Sequence, residues 1–187
     1  MLIMMEIEIK ARVKNRDEVK ERIKSIGNFV RKEHQEDLYF DSPYRNFVES
    51  GEVLRIRKTL HKNTLTYKKK RTDERARIRI EHEAKVESGD DIAEILEDLG
   101  FIQIAKIRKE REIYNTNECK IELDMVEGLG EFVEVEILIP EDEDITKSKE
   151  KIFGILEKIG VPRENIEKKP YLELYLDKKR WIGEKKR

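Results

Sequence analysis

Apolar and charged residues alternate along much of this chain with a period of two. Runs such as Glu6–Lys10 and Val133–Glu136 place an apolar side chain at every second position and a charged one between. Strands with one apolar face and one charged face produce this pattern. Together with two less regular segments, it predicts about eight strands, near residues 6–10, 37–41, 54–57, 65–68, 78–81, 104–114, 121–124 and 133–136.

Three other segments repeat their apolar residues every three or four positions, as an amphipathic helix does. Each starts with a residue type that can cap a helix and is followed by a glycine at the C′ position, which predicts where the helix ends. A fourth, shorter helix is expected from Tyr171 to about Lys178, after Pro170. The three capped helices are Asn15–Ile26, Asp90–Leu99 and Thr146–Ile159, followed by Gly27, Gly100 and Gly160.

The first strand and helix are repeated later in the chain. Glu6–Phe29 aligns with Arg79–Ile102 without a gap, and seven of the twenty-four positions are identical. Each half therefore predicts a strand, a helix and three further strands. A length of 187 residues suits a single domain with one core. We expect one α+β domain over 1–187, with halves at about 4–72 and 77–140 and C-terminal helices within 146–180.

The composition excludes a disordered chain. Charged residues make up 43% of the sequence, but 40 Lys and Arg nearly balance 41 Asp and Glu, and Leu, Ile, Val and Phe number 53. Dense balanced charge is typical of the ion-pair networks of thermophilic proteins. The apolar run Met1–Met5 has no basic lead and is followed by Glu6, so we expect neither a transmembrane helix nor a signal peptide. With Cys119 as the single cysteine, we expect a soluble, cytoplasmic protein.

Charge is strongly segregated along the chain. From Val53 to Arg79 there are eleven Lys or Arg against two acidic residues, and from Glu112 to Glu150 there are thirteen acidic residues against three lysines. For any single strand, a charged face that simply meets water explains the pattern. Six such strands favour an eight-stranded barrel with a charged interior. That interior would hold Glu6, Glu8, Lys10, Arg55, Arg57, Lys68, Arg79, Glu81, Glu83, Glu122, Asp124, Glu134 and Glu136.

Buried charges on this scale need partners. Arginine and lysine suit a polyphosphate, and carboxylates suit hard cations such as Mg²⁺ or Mn²⁺, which also bind phosphate oxygens. An interior with both kinds of group is a site for a metal–triphosphate. In that arrangement we expect the side chains of Arg55 and Arg57 to face those of Glu134 and Glu136.

At these residues the chain resembles a known family. The motifs are Glu6-Ile-Glu-Ile-Lys10, Leu38-Tyr-Phe-Asp41, Val53-Leu-Arg-Ile-Arg57, Thr66-Tyr-Lys68, Lys109-Glu-Arg111 and Phe132-Val-Glu-Val-Glu136. In this order they resemble the CYTH superfamily, the triphosphate tunnel metalloenzymes that include class IV adenylate cyclases and thiamine triphosphatases. The resemblance runs from Glu6 to about Leu176. Segments 37–43, 99–101 and 126–132 look most like the class IV cyclase branch.

The resemblance implies an eight-stranded antiparallel barrel, or tunnel, with flanking helices. It implies Mg²⁺ or Mn²⁺ bound by Glu6, Glu8, Glu134 and Glu136, while Glu81 and Glu83 either serve the metal or hold the arginines. It implies triphosphate bound by Lys10, Arg55, Arg57, Lys68 and Arg111, with Lys109 and Arg79 as further matches; Arg77 could replace Arg79. Lys10 is either a general base or a phosphate contact, and Asp124, near the metal, is counted with it as catalytic.

We therefore expect a metal-dependent enzyme that acts on a triphosphate, most like a class IV adenylate cyclase, which converts ATP to cyclic AMP and pyrophosphate. An inorganic triphosphatase or a thiamine triphosphatase is the alternative. A non-catalytic polyphosphate or nucleotide binding module is the alternative from another class, and the presence of both glutamate pairs favours an enzyme. The expected partner is ATP, tripolyphosphate or thiamine triphosphate, without a membrane. A homodimer stays open, and no nucleic acid is expected because aromatics are scarce near Lys68–Arg71.

Overall fold

The structure, a computed structural model, describes residues 4–70, 79–140 and 143–185. Within them lie the eight strands that the sequence predicts. They are β1 (Met4–Arg12), β2 (Asn28–Asp41), β3 (Val53–Lys58), β4 (Asn63–Lys70), β5 (Arg79–Val86), β6 (Ile102–Asn115), β7 (Lys120–Val126) and β8 (Gly130–Pro140). The helices are α1 (Arg16–Ile26), α2 (Phe47–Ser50), α3 (Gly89–Asp98), α4 (Ile145–Lys158) and α5 (Tyr171–Lys185), with a 3₁₀ turn at Arg163–Asn165.

The strands form one eight-stranded antiparallel sheet in the order β1-β8-β7-β6-β2-β3-β4-β5. This confirms the predicted fold class, an antiparallel sheet with flanking helices. β1 and β5 are the first and last strands of that order, and closure of the sheet into a tunnel stays a prediction. So does the assignment of the chain to a single domain.

The chain divides into two compact units, and the division falls within β2 and β6. Unit 1 comprises Met1–Glu33 and Lys109–Pro170, and unit 2 comprises His34–Arg108 and Tyr171–Arg187. Each has its own core, built from the apolar faces of its strands and helices. In unit 1 the core includes Ile23 of α1, Ile152 and Leu156 of α4, and Ile121 and Val135 of the sheet. In unit 2 it includes Leu38, Phe40, Phe47, Leu54 and Ile56.

The helix ends follow the sequence in two of three cases. Gly100 and Gly160 have left-handed φ angles of 90° and 81° and lie directly after the C-caps of α3 and α4, as predicted. Gly27 is different, because it is itself the C-cap of α1 and is extended, with φ −147°. A Cβ there would lie 3.0 Å from the backbone oxygen of Asn115 and 3.0 Å from Cγ2 of Thr116, so glycine is favoured there by close packing.

Two helices differ from the sequence prediction. α2 was not predicted, because four residues are too few to show a helical period. It is fixed at its start by side chains, since Asn46 caps it and the backbone N–H of Phe47 donates to Asp41 Oδ1 at 2.7 Å. α5 continues to Lys185, seven residues past the predicted end, through lysine and arginine positions that favour helix. None of the described helices combines the length and the apolar character that a membrane span requires.

Candidate functional site

Three glutamates of unit 1 converge where β1 pairs with β8. The antiparallel register places Glu8 opposite Glu136 and Lys10 opposite Glu134. Glu6 lies on the same face of β1 as Glu8, since alternate residues of a strand share a face. One carboxylate oxygen from each of Glu6, Glu8 and Glu136 lies within 4.8 Å of the other two. An all-oxygen donor set with this spacing fits a hard divalent cation such as Mg²⁺ or Mn²⁺.

The crowding of these carboxylates has an electrostatic consequence. Desolvation by surrounding protein atoms, followed by repulsion from Glu134, raises the pKa of Glu8 to about 7. Glu8 nevertheless has exposed surface, so its desolvation is partial and solvent still reaches the residue. Arg111 is the main neighbour that opposes the shift. A positive ion among these carboxylates would relieve the repulsion that favours the protonated form.

Glu134 belongs to a second cluster, centred on the guanidinium of Arg111. Arg111 donates through Nη2 to Glu134 and through Nη1 to Glu122. It also holds Asp124 with two bonds, from Nε to Oδ1 at 2.7 Å and from Nη2 to Oδ2 at 2.5 Å. Lys109 donates to the same Oδ2 at 3.2 Å. The sequence predicts Glu134 as a metal ligand, and the structure places it on Arg111 instead of within the three-glutamate cluster.

The Arg111 cluster is removed from solvent and combines two cations with three carboxylates. Asp124 has no exposed surface, and the side chains of Lys109 and Arg111 are 2% and 7% exposed. Burial lowers the pKa of Arg111, but Asp124 and Glu134 outweigh it and raise the pKa above its ordinary value. Burial raises the pKa of Glu134, and Arg111 and Lys109 more than offset it. Arg111 and Glu134 are therefore held in their charged forms.

Lys10 is anchored by a distant part of unit 1. Its Nζ donates to the backbone carbonyl of Lys169 at 2.6 Å, and its own carbonyl accepts from the backbone N–H of Glu167 at 2.9 Å. Arg12, two residues along β1, donates to the Glu167 carboxylate through Nε and Nη2 at 3.1 and 2.9 Å. Burial lowers the pKa of Lys10, although Glu134 and Glu8 oppose the shift. A buried amine with a lowered pKa loses its proton more readily than an exposed lysine does. The neutral amine that results can then accept a proton from another group.

Lys120 is a member of this charged face that sequence reasoning missed. It lies opposite Glu136 in the β7–β8 pairing and forms ion pairs with Glu136 and, at 3.2 Å, with Glu122. The signal was available in the sequence, because Lys120 has the same strand parity as Glu122 and Asp124. Glu136 therefore has one cation, Lys120, and two glutamates, Glu6 and Glu8, as neighbours.

Unit 2 contains a separate cluster of arginines around a buried aspartate. Asp37 of β2 lies opposite Arg57 of β3, which donates to it twice, from Nε and from Nη2, each at 2.7 Å. Arg55 is further away, with Nη1 3.9 Å from Oδ2 of Asp37. Its Nε is buried and makes no hydrogen bond to any part of the chain that the structure describes. Burial, followed by the charge of Asp37, raises the pKa of the neighbouring Tyr39 to about 12.

Asp37 is a further residue that sequence reasoning missed. Its strand was predicted, but the aspartate acquires its role only from the β2–β3 register, which sets it opposite Arg57. The available signal was its parity, because Asp37 and Tyr39 alternate with the apolar residues Leu38 and Phe40.

The remaining predicted residues lie on β4 and β5 of unit 2. Lys68 forms an ion pair with Glu81 at 2.8 Å, and the Thr66 hydroxyl donates to Glu83 at 3.4 Å, both across the β4–β5 pairing. Among the described residues, the cluster with metal-ligand spacing includes neither Glu81 nor Glu83. The side chain of Arg79, and all of Arg77, lie outside what the structure describes. The expectation that Arg55 and Arg57 face Glu134 and Glu136 stays a prediction.

The chain is similar to known proteins over nearly its whole length. The CYTH domain family model matches residues 4–171. The protein named "Putative adenylate cyclase MJ0240" of Methanocaldococcus jannaschii is 38% identical over 172 residues, which are 91% of this chain and 98% of that protein.

Solved structures show the same similarity. PH1819 of Pyrococcus horikoshii OT3 has a TM-score of 0.80 and 38% identity, over 93% of this chain and 99% of that one. A more distant structure, described as "Putative adenylyl cyclase HpAC1 from Hippeastrum reveals a dominant triphophatase activity", has a TM-score of 0.69 and 20% identity, over 92% of this chain and 96% of that one. At that identity the likeness shows the fold alone.

Proposed function

Because the chain belongs to the CYTH domain family, whose members typically act on triphosphates, we propose that it is a metal-dependent enzyme acting on a triphosphate, most like a class IV adenylate cyclase. The observation that supports this most directly is the convergence of Glu6, Glu8 and Glu136, next on the sheet to the buried Lys10. The substrate would be ATP, and the products cyclic AMP and pyrophosphate.

The three-glutamate cluster would hold Mg²⁺ or Mn²⁺. The fit is supported by its donor set, which is entirely carboxylate oxygen, and by the raised pKa of Glu8. A divalent cation bound there would offset the negative charge of the triphosphate and of its transition state. Glu134 is not a direct ligand in this proposal, since its carboxylate accepts from Arg111. Glu81 and Glu83 are assigned to holding Lys68 and Thr66.

Two groups of cations are proposed to bind the phosphates. In unit 1 they are Lys10, Lys109 and Arg111, and in unit 2 they are Arg55, Arg57 and Lys68, with Arg79 as a further match from the sequence. The unused Nε of Arg55 supports such a role, because a buried guanidinium donor without a partner costs free energy that a phosphate oxygen would recover.

Asp124 is proposed as a positioning residue. Both of its carboxylate oxygens accept hydrogen bonds, from Arg111 and Lys109, and it has no exposed surface through which to meet a substrate. Its role in this proposal is to fix the plane of the Arg111 guanidinium and the direction of the Lys109 ammonium. This refines the expectation that placed Asp124 among the catalytic residues.

Lys10 is proposed as the general base that accepts a proton from the attacking hydroxyl group. In cyclisation the ribose 3′-oxygen forms a bond to the α-phosphorus. The bond from that phosphorus to the oxygen between the α- and β-phosphorus atoms breaks, and pyrophosphate leaves. The proton of the 3′-hydroxyl must go to a base, and a neutral amine at Lys10 could accept it. The lowered pKa of Lys10 and the fixed position of its Nζ support this assignment. A direct contact between Lys10 and a phosphate is the other role that the sequence left open.

Hydrolysis is the second candidate reaction. HpAC1, which shares the fold, is described as having a dominant triphosphatase activity, so the fold itself is compatible with this reaction. The same carboxylates and cations would serve it, with water attacking the terminal phosphorus in place of the 3′-hydroxyl. The substrate would then be tripolyphosphate or thiamine triphosphate.

A substrate panel distinguishes these functions. The chain is incubated with ATP, GTP, tripolyphosphate or thiamine triphosphate in Mg²⁺ or Mn²⁺, and phosphate, pyrophosphate and cyclic nucleotide are measured separately. Equal amounts of cyclic AMP and pyrophosphate from ATP support the cyclase, whereas phosphate without cyclic nucleotide supports a triphosphatase. Binding of every triphosphate without turnover of any would overturn the enzyme proposal in favour of a binding module.

A further inference from the structure

Residues 178–187 concentrate positive charge that the proposed triphosphate site does not use. They contain six Lys or Arg against Glu184 alone, a net charge of +5, in a chain whose total is −1. The segment begins in the second half of α5. The first half of that helix, 171–177, contains two acidic residues and no cation.

The start of this segment is open to solvent. Lys178, Lys179, Arg180 and Trp181 are all exposed, and the indole-bearing residue has 56% of its surface accessible. At the beginning of the same helix Tyr171 and Leu172 are buried. Trp181 is the single tryptophan of the sequence. A large aromatic residue with more than half of its surface exposed therefore lies within a run of exposed cations.

The helix dipole accounts for only part of this arrangement. Cations are favoured near a helix C-terminus, but the effect falls off within the last turn. Lys178 and Lys179 lie seven and six residues before Lys185, where α5 ends. The dipole also gives no reason for an exposed indole.

We propose that the segment Lys178–Trp181 binds single-stranded nucleic acid. An exposed aromatic ring offers a surface on which a base stacks, and neighbouring cations bind the flanking phosphates. Lys178 and Trp181 are three residues apart in a helix and are therefore neighbours on its surface. Lys179 already places its Nζ 4.9 Å from the centre of the Tyr175 ring, so an aromatic and a cation are adjacent there too.

An anionic membrane surface fits the segment less well. A helix that lies on a membrane inserts a broad apolar face, with several large apolar side chains exposed together. Trp181 is the single large apolar residue exposed within 173–181, because Leu174, Tyr175 and Leu176 are partly buried. The expectation that no nucleic acid binds was based on the scarcity of aromatics near Lys68–Arg71, and the segment Lys178–Trp181 has its own aromatic.

The test uses Trp181 as its own reporter. The full chain is titrated with a short 5′-hydroxyl oligothymidylate while tryptophan fluorescence is followed. We expect quenching, since a stacked base contacts the indole, and an affinity that falls with salt. Three phosphate contacts predict a slope of about −2 in log affinity against log salt concentration for a single strand.

Paired variants separate the segment from the general charge of the chain. The double variant Lys178→Glu/Lys179→Glu should bind about tenfold or more weakly, with a shallower salt slope. Lys147→Glu/Lys149→Glu changes net charge equally at exposed positions of α4 and should bind like wild type. Lys178→Arg/Lys179→Arg keeps the charge and should retain binding. If it lost binding too, the loss would be due to misfolding and not to the removal of charge. Arg55→Ala, in the proposed triphosphate site, should leave this binding unchanged.

Several results would overturn the proposal. They are the absence of quenching, equal weakening by the two double charge reversals, and loss of binding in Arg55→Ala. Inorganic polyphosphate that quenches as strongly as the oligonucleotide would show that charge alone is recognised. A blue shift with vesicles of phosphatidylcholine and phosphatidylserine, without quenching by oligothymidylate, would assign the segment to a membrane surface instead.

Discussion

Arg111 and Asp124 form a two-bonded ion pair across β6 and β7, and the carboxylate in it is entirely without solvent contact. Two parallel N–H···O bonds fix the plane of a guanidinium as well as its position. The remaining nitrogen of Arg111, Nη1, then donates to Glu122. Nη2 makes its second bond to Glu134. The pair therefore sets the orientation of the cation proposed to meet the substrate in unit 1.

Removal of the Asp124 charge tests this role. We expect Asp124→Asn to lower the free energy of unfolding by about 3 kcal/mol, because it removes the partner that accepts two bonds from the buried guanidinium of Arg111. Urea denaturation followed by circular dichroism measures the change. Asp98→Asn, at an exposed position of α3, is the matched control and should change stability by less than about 0.5 kcal/mol. An Asp124→Asn protein as stable as the control would mean that Arg111 is held by its other carboxylates.

Arg55 and Arg57 should separate into two roles. Arg57→Ala leaves Asp37 buried without its main partner and should cost about 3 kcal/mol of stability. Arg55→Ala should cost only about 1 kcal/mol, because its Nε has no bond to lose. Both should weaken the binding of tripolyphosphate, measured by calorimetry, by about tenfold or more. The control is Arg31→Ala, an exposed arginine of β2, and wild-type affinity in Arg55→Ala would show that this arginine does not contact phosphate.

Glu112, a buried carboxylate away from the proposed site, should make the free energy of unfolding depend on pH. Glu112 accepts from the Tyr114 hydroxyl at 2.6 Å, from Lys20 at 3.0 Å and from Arg16 at 3.3 Å. Burial raises the pKa of Glu112, but the bonds from Tyr114 and Lys20 outweigh it and lower the pKa below its ordinary 4.5. The ionised group therefore stabilises the fold fully above that value, and the stabilisation is lost as pH falls through the folded pKa.

Glu112→Gln should show this directly. At pH 7 we expect it to be less stable than wild type by about 3 kcal/mol, and the difference should narrow as pH is lowered toward 3. Urea denaturation at several pH values measures it. Glu97→Gln, at an exposed position of α3, should track wild type throughout. If the difference in free energy of unfolding between wild type and Glu112→Gln stayed constant with pH, Glu112 would stabilise the fold through packing and not through its charge.

Mn²⁺ binding tests the three-glutamate cluster without any substrate. We expect the wild-type chain to bind the ion, as seen in the loss of the free Mn²⁺ signal in electron paramagnetic resonance. Glu136→Gln replaces a charged oxygen ligand with an amide and should weaken binding at least about tenfold. Glu164→Gln is the matched control, because Glu164 is exposed and lies outside the cluster. Equal affinity in the two variants would remove Glu136 from the proposed ligand set.

The strands and their charged faces could be predicted from the sequence, because the period-two pattern depends only on neighbouring residues. It placed Glu6 and Glu8 on one face of β1, and Glu134 and Glu136 on one face of β8. It could not show that these last two glutamates have different partners. That division arises because Arg111, on β6, donates to Glu134, whereas Lys120, on β7, forms an ion pair with Glu136.

Contacts between distant parts of the chain were the least predictable. Asp37 acquires a partner only through the β2–β3 register, and Lys10 acquires one in Lys169, 159 residues later. Such pairings depend on which strands become neighbours, and the alternation of side chains leaves that undetermined. The extended Gly27 is similar, since its neighbours Asn115 and Thr116 lie far from it in sequence.

Turnover by Glu136→Gln tests the proposed metal-dependent enzyme most directly. Steady-state rates on the best triphosphate of the panel are compared for wild type, Glu136→Gln and Glu164→Gln, each in Mg²⁺, in Mn²⁺ and in EDTA. Calorimetry with tripolyphosphate in EDTA reports binding separately. We expect wild-type activity to vanish in EDTA and return with metal, and Glu164→Gln to match it. Glu136→Gln should bind metal-free tripolyphosphate at least as well as wild type yet turn over about 100-fold more slowly, since the metal is proposed to contribute several kcal/mol to the transition state. Wild-type turnover in Glu136→Gln, or full activity of the wild-type chain in EDTA, would contradict a metal-dependent reaction at this cluster.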